Sequence, residues 1–123
     1  MIARVLVVDD DDHIRRALST ALTRAGFDVT TADDGRPAIE LGGPFELVVV
    51  DYNMKTVTGA EVVRYYKQRF GKLVYCAVLS GDDDDATRAA CLEAGADDVF
   101  SKPASPIALR QRLIEAAAQL RAG

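Results

Sequence analysis

Cysteine is nearly absent from this sequence. Cys76 and Cys91 are its two thiols, too few for the disulfide framework of a small secreted scaffold. They fall in a predicted strand and a predicted helix with no metal-ligand spacing around them, so buried free thiols are expected. Long hydrophobic runs are also missing: stretches such as Val5–Val8 have strand length, far below the ~18 residues of a membrane span. Basic charge is in deficit. Lys and Arg total 15 against 19 acids, a net charge of −4, which disfavours direct nucleic-acid binding. The N-terminus lacks the basic, apolar, small-residue order of a secretion signal. A cytoplasmic chain whose fold starts with a strand next to Met1 is the expectation. Linkers, repeats and low-complexity tracts are absent. With 49% apolar residues over 123 positions, one domain over 1–123 with one core is expected.

What is present is an alternation of two periodicities. Strand-like apolar runs cover Arg4–Val8, Asp28–Ala32, Glu46–Val50, Leu73–Leu79 and Asp98–Ser101. Ile14, Ala17, Leu18, Ala21, Leu22 and Ala25 make a helical stripe that Gly26 ends. Leu109, Leu113, Ala117 and Leu120 make another, opened by Ser105 as N-cap and Pro106 at the first helical position. Weaker helical spacing runs through Gly35–Leu41, Thr58–Phe70 and Asp82–Ala94. Five strand–helix repeats predict an α/β fold, a parallel sheet covered by helices on both faces. Val5–Val8 and Leu47–Val50 are apolar without alternation, as interior strands are, while the more polar Asp28–Ala32 suits an edge.

In such sheets ligands bind beyond the carboxyl ends of the strands. The first strand ends in Asp9 and Asp10, the third in Asp51 and the fourth in Ser80, and Lys102 follows the fifth. Three carboxylates at one rim repel one another unless a cation joins them. An all-oxygen set without His or Cys favours a hard ion such as magnesium. Asp51, on the central strand, is the candidate nucleophile, because a carboxylate oxygen can attack phosphorus and form an acyl phosphate. The Lys102 ammonium and the Ser80 hydroxyl would then stabilise the transferring group, with help from backbone N–H groups after Gly81.

These residues, read as Val7-Val8-Asp9-Asp10, Val49-Val50-Asp51-Tyr52-Asn53-Met54, Leu79-Ser80-Gly81 and Ser101-Lys102-Pro103, resemble the receiver domain of response regulators over essentially the whole chain. The resemblance implies a CheY-like, flavodoxin-like (βα)5 doubly wound sheet of five parallel strands in the order 2-1-3-4-5. It implies magnesium bound by Asp10, Asp51 and the backbone carbonyl of Asn53, with Asp9 acting through a water. It implies a phosphoacceptor at Asp51, phosphoryl contacts from Ser80 and Lys102, and a cis peptide between Lys102 and Pro103. The phosphoryl donor would be a histidine kinase or a histidine phosphotransfer protein. Phosphorylation would bias the loop after the fourth strand and the face of the fourth helix, fifth strand and fifth helix toward a downstream partner or a fused output domain. The resemblance leaves a homodimer open. Three positions depart from the family: Val99 stands where an aromatic switch residue is usual, and Lys55 and Thr58 replace the usual Pro and Asp.

Plainer roles exist for each residue taken singly. Asp9 and Asp10 alone would suit a solvated helix N-terminus. Asp11 and Asp12 are expected to cap, and His13 to be exposed. Asp82 to Asp85 are expected to form a capped first helical turn, though Asp82, two residues past Ser80, is also a candidate with Asn53 for tuning dephosphorylation. Tyr65, Tyr66 and Phe70 at helical spacing are expected to pack. A small phosphohydrolase of the haloacid dehalogenase type is a competing function, since Asp9 and Asp11 give a D-x-D. His13 stands where that motif expects Thr or Val, and the chain is short for that fold. A receiver-like binding module that no longer phosphorylates is the third alternative. The favoured role is signal transduction rather than catalysis of a substrate's turnover.

Overall fold

The computed structural model describes residues 2–81 and 84–122. Five strands and five α-helices alternate: β1 Arg4–Val8, α1 Asp12–Arg24, β2 Asp28–Ala32, α2 Gly35–Leu41, β3 Leu47–Asp51, α3 Gly59–Phe70, β4 Tyr75–Ser80, α4 Asp85–Ala94, β5 Asp98–Ser101 and α5 Pro106–Ala122. All ladders are parallel, in the order β2-β1-β3-β4-β5. The sheet is doubly wound and flavodoxin-like, as the alternation and the resemblance predict.

Strand residues alternate between two cores, one on each face of the sheet, where a single core was expected, because the covered sheet itself divides the apolar interior. Leu6, Val8, Val48, Val50, Cys76 and Val78 face Ala38, Val62, Val63, Tyr66 and Cys91 from α2, α3 and α4. Val5, Val7, Leu47, Val49, Ala77 and Leu79 face Leu18, Leu22, Leu109 and Leu113 from α1 and α5. Both strand faces are therefore dry, which explains why the interior strands read as unbroken apolar runs. Both thiols are free and buried. Tyr66 is fully buried, with its hydroxyl donating to Ala38 O at 2.6 Å and its ring edge-on to Tyr65 and Phe45. The tyrosine cluster is packing, as expected.

Several boundaries differ from expectation. β3 runs Leu47–Asp51, so Asp51 lies inside the ladder, paired with Leu79. The predicted fourth strand starts two residues late because Gly71–Leu73 form a 3-10 turn that leaves Leu73 74% exposed. α4 starts at Asp85, since Asp84 is its N-cap and accepts from Thr87 N at 2.6 Å. Ala17, assigned to the apolar stripe of α1, is exposed. It lines a groove between α1 and the loop before α5 rather than the core. Thr58, expected inside the third helix, is its N-cap, accepting from Glu61 N at 3.3 Å, while Ser105 and Pro106 open α5 as expected.

Candidate functional site

The chain leaves β1 toward β2 on one side and leaves its sheet neighbour β3 toward β4 on the other. The crevice of a doubly wound sheet opens at this reversal, beyond the carboxyl ends of the strands. Asp9 immediately follows β1 and continues its ladder, donating from its N–H to Ala32 O at 3.2 Å. Asp51 ends β3 and Ser80 ends β4. All three are buried, Asp9 completely. Lys102 follows β5, with its N–H bonded to Ser80 O at 2.8 Å, and the Lys102–Pro103 peptide is cis as expected. A second cis peptide, Gly43–Pro44, was not foreseen.

Lys102 Nζ lies 2.9 Å from Asp51 Oδ1 and 3.4 Å from Asp9 Oδ2. One carboxylate oxygen from each of Asp9, Asp10 and Asp51 lies within 4.8 Å of the others, and Asp10 is exposed at the mouth. Burial is the main force raising the Asp51 pKa; the Lys102 hydrogen bond opposes it, and the charges of Asp9 and Asp10 add to it. Burial alone would lower the Lys102 pKa, but its hydrogen bond to Asp51 and the charges of Asp51 and Asp9 outweigh that and raise it. Lys102 thus stays an ammonium among carboxylates. Three acids against one ammonium leave negative charge that a divalent cation would neutralise. The donors are oxygens, with no His or Cys in the cluster, so the residues fit a hard ion.

The loop after β3 closes tightly on Asp51. Gly59 N donates to Tyr52 O at 2.8 Å, and a Cβ on Gly59 would stand 2.5 Å from Asp51 O. Glycine is required here by close backbone approach. The same loop is latched to α2. Asp34 Oδ1 accepts from Gly35 N, Thr56 N and Thr56 Oγ1 at 2.7, 3.1 and 2.9 Å, and Arg36 N donates to Thr56 Oγ1 at 2.9 Å. The sequence reading missed this latch; Asp34 before Gly35 carried only an N-cap signal. Asn53 is exposed two residues past Asp51 on this loop.

Not every candidate joins the cluster. Asp11 accepts from His13 N and Ile14 N at 2.8 and 3.2 Å as the N-cap of α1, so its carboxylate is occupied and the D-x-D does not form the site. His13 is exposed. Val99 packs on the α3–α4 side and Phe100 on the α1–α5 side, so Phe100 does not substitute for the missing aromatic. Asp82, and the first backbone N–H groups after Gly81, lie outside the described residues.

Fold and rim together define a flavodoxin-like α/β protein with an acidic, cation-sized site at its topological switch point. Residues 5–114 match the response regulator receiver domain, and the chain belongs to that family of two-component signalling proteins. It is 38% identical to the response regulator MprA of Mycolicibacterium vanbaalenii over 98% of this chain and 52% of that protein. It is 36% identical to a cyclic di-GMP phosphodiesterase of Thermotoga maritima over 91% of this chain and 30% of that protein. The chain therefore spans about half or less of these relatives. Among solved structures, the BeF3-activated receiver domain of DrrB superposes with a TM-score of 0.88 at 30% identity, over 96% of this chain and 99% of that one. DrrB is a Thermotoga maritima OmpR/PhoB homologue. No described helix is long and apolar enough to cross a membrane.

Proposed function

We propose that this chain accepts a phosphoryl group from phosphohistidine onto Asp51 in a magnesium-dependent reaction. The carrying observation is the placement of Lys102 Nζ between Asp51 Oδ1 and Asp9 Oδ2, beside an acidic cluster of cation size. An Asp51 carboxylate oxygen attacks phosphorus as the bond from phosphorus to the donor's imidazole nitrogen breaks. The imidazole keeps the electron pair, and Asp51 becomes an aspartyl phosphate. Lys102 and Ser80 are the side chains that meet the negative charge on the transferring oxygens. Asp9, Asp10, Asp51 and the Asn53 carbonyl would hold magnesium, which neutralises charge on the incoming phosphoryl group. Asn53, with Asp82, is assigned to tuning the lifetime of the product.

An apolar groove of about 290 Å³ borders Lys102, lined by Ile14, Ala17, Leu18, Leu79 and Ala104. The phosphohistidine donor, a histidine kinase or a phosphotransfer protein, approaches from this side. Output runs through the face of α4, β5 and α5, where Leu92 and Ile107 are 47% and 68% exposed, to a downstream partner or a fused output domain. The BeF3-activated state of DrrB supports the reading by similarity. Incubation with acetyl phosphate and magnesium, followed by mass spectrometry, tests it. The expected result is a gain of one phosphate in the wild type and none in Asp51→Asn. Equal labelling of both, or sustained turnover of a phosphate ester, would overturn it.

A further inference from the structure

Asp9 is restrained at nearly every polar atom. Its N–H donates to Ala32 O at 3.2 Å, and its Oδ1 accepts from Asp11 N at 2.9 Å. Its carbonyl oxygen accepts from Arg15 Nη1 at 2.8 Å. The remaining atom, Oδ2, is inaccessible to solvent and without a hydrogen bond, 3.4 Å from Lys102 Nζ. The other arm of the Arg15 guanidinium, Nη2, pairs with Asp12 in the first turn of α1. Arg15 is itself largely buried, its side chain 18% exposed. The carbonyl it grips belongs to the peptide joining Asp9 to Asp10. The plane of that peptide sets the direction in which Asp10 leaves the chain, and one guanidinium ties it to the start of α1.

We infer that Arg15 is a positioning residue for the acidic cluster: by clamping the Asp9–Asp10 peptide it aims both carboxylates at one cation. The inference rests on the magnesium reading above. Its test is sharpened by sign. A guanidinium beside a cation site repels the cation, so losing its charge alone would tighten binding. Losing the clamp would weaken it, and residues that orient metal ligands from the outer shell are typically worth 10–100-fold in metal affinity.

Magnesium is titrated into the full chain and followed by amide resonances, with urea unfolding of each variant in chelator. Arg15→Met should raise the magnesium Kd by about tenfold. Arg16→Met removes the same charge from an exposed neighbour and should leave the Kd within about twofold, because surface charge acts weakly through solvent. Arg15→Lys, which retains one donor and the charge, should recover part of the loss. If Arg15→Met does not fold, Arg15→Lys carries the test, with an elevated Kd and a native amide spectrum expected. Unchanged or tighter binding by a folded Arg15 variant overturns the inference, as does lost stability with an unchanged Kd. A wild type that shows no magnesium response overturns the cation reading and this inference together, which separates the two failures.

Discussion

Replacing Lys102 by methionine keeps most of the stem and removes the ammonium from between two buried carboxylates. At an effective dielectric near 20, attractions across the 2.9 and 3.4 Å separations are about 6 and about 5 kcal/mol. Dehydrating the ions offsets several kcal/mol for each, although Lys102 keeps 22% of its side-chain exposure and is only partly dehydrated. Removing one partner of a buried pair leaves the other uncompensated, and the net loss expected at pH 7 without divalent cation is about 2–4 kcal/mol. The pH dependence follows from the shifts. Lys102 has a raised pKa, so its contribution is complete below the ordinary lysine value and is lost only as pH rises through the folded value. Asp51 is also raised. Its protonated form is favoured in the fold, and stability falls as pH climbs from the ordinary aspartate value through the folded one. Without Lys102 that rise is larger, so the variant recovers relative to wild type as pH drops. Urea unfolding followed by circular dichroism, in chelator at pH 7 and near pH 4, should show the gap narrowing in acid. Saturating magnesium should narrow it as well. A cation at a hundredfold its Kd stabilises the fold by about 2.7 kcal/mol, and the variant, lacking the competing ammonium, binds it more tightly. A gap equal at both pH values, or below the roughly 0.5 kcal/mol of an ordinary surface change, would refute the reasoning.

Gly59→Ala drives a Cβ to 2.5 Å from Asp51 O and 2.9 Å from Tyr52 Cα, both backbone atoms. It should cost at least about 1–3 kcal/mol and weaken magnesium binding, checked by urea unfolding and cation titration. Tyr66→Phe leaves the buried Ala38 carbonyl without its donor and should cost about 1–3 kcal/mol, read from the urea midpoint; a neutral result would mean that water replaces the hydroxyl. Burial pushes the Cys76 thiol up to about 12 and also raises Cys91. A colorimetric disulfide reagent at pH 8 should therefore label neither thiol until denaturant is added, and rapid labelling of the native chain would contradict their burial.

Much of the fold was legible because strand and helix periodicities are local. Val5–Val8 and Leu47–Val50 declared interior strands, and the polar Asp28–Ala32 declared an edge. The strand ends exposed the acids, the serine and the lysine in order. The boundaries that slipped did so where local signals competed: Leu73 looked like strand but lies in a 3-10 turn closed by Gly71, and Asp82–Asp85 offered several caps, of which Asp84 serves.

By itself the sequence determined the alternation, the parallel architecture and which chemical groups reach the rim, since each depends on neighbours a few positions away. The sequence already set Asp9 and Asp10 at the rim and Asp11 and Asp12 as caps; tertiary structure decided which of the rim pair is buried, and it leaves Asp12 inside α1 pairing with Arg15 rather than capping. Asp9 is buried against Lys102, Asp10 opens to solvent, Asp11 caps α1 and Asp12 holds Arg15. It also decided that Thr56 latches to Asp34 and that Arg15 grips the Asp9 carbonyl. Asp9 and Asp10 carry the same intrinsic chemistry; burial and the approach of Lys102 from beyond β5, which no local period encodes, make them different.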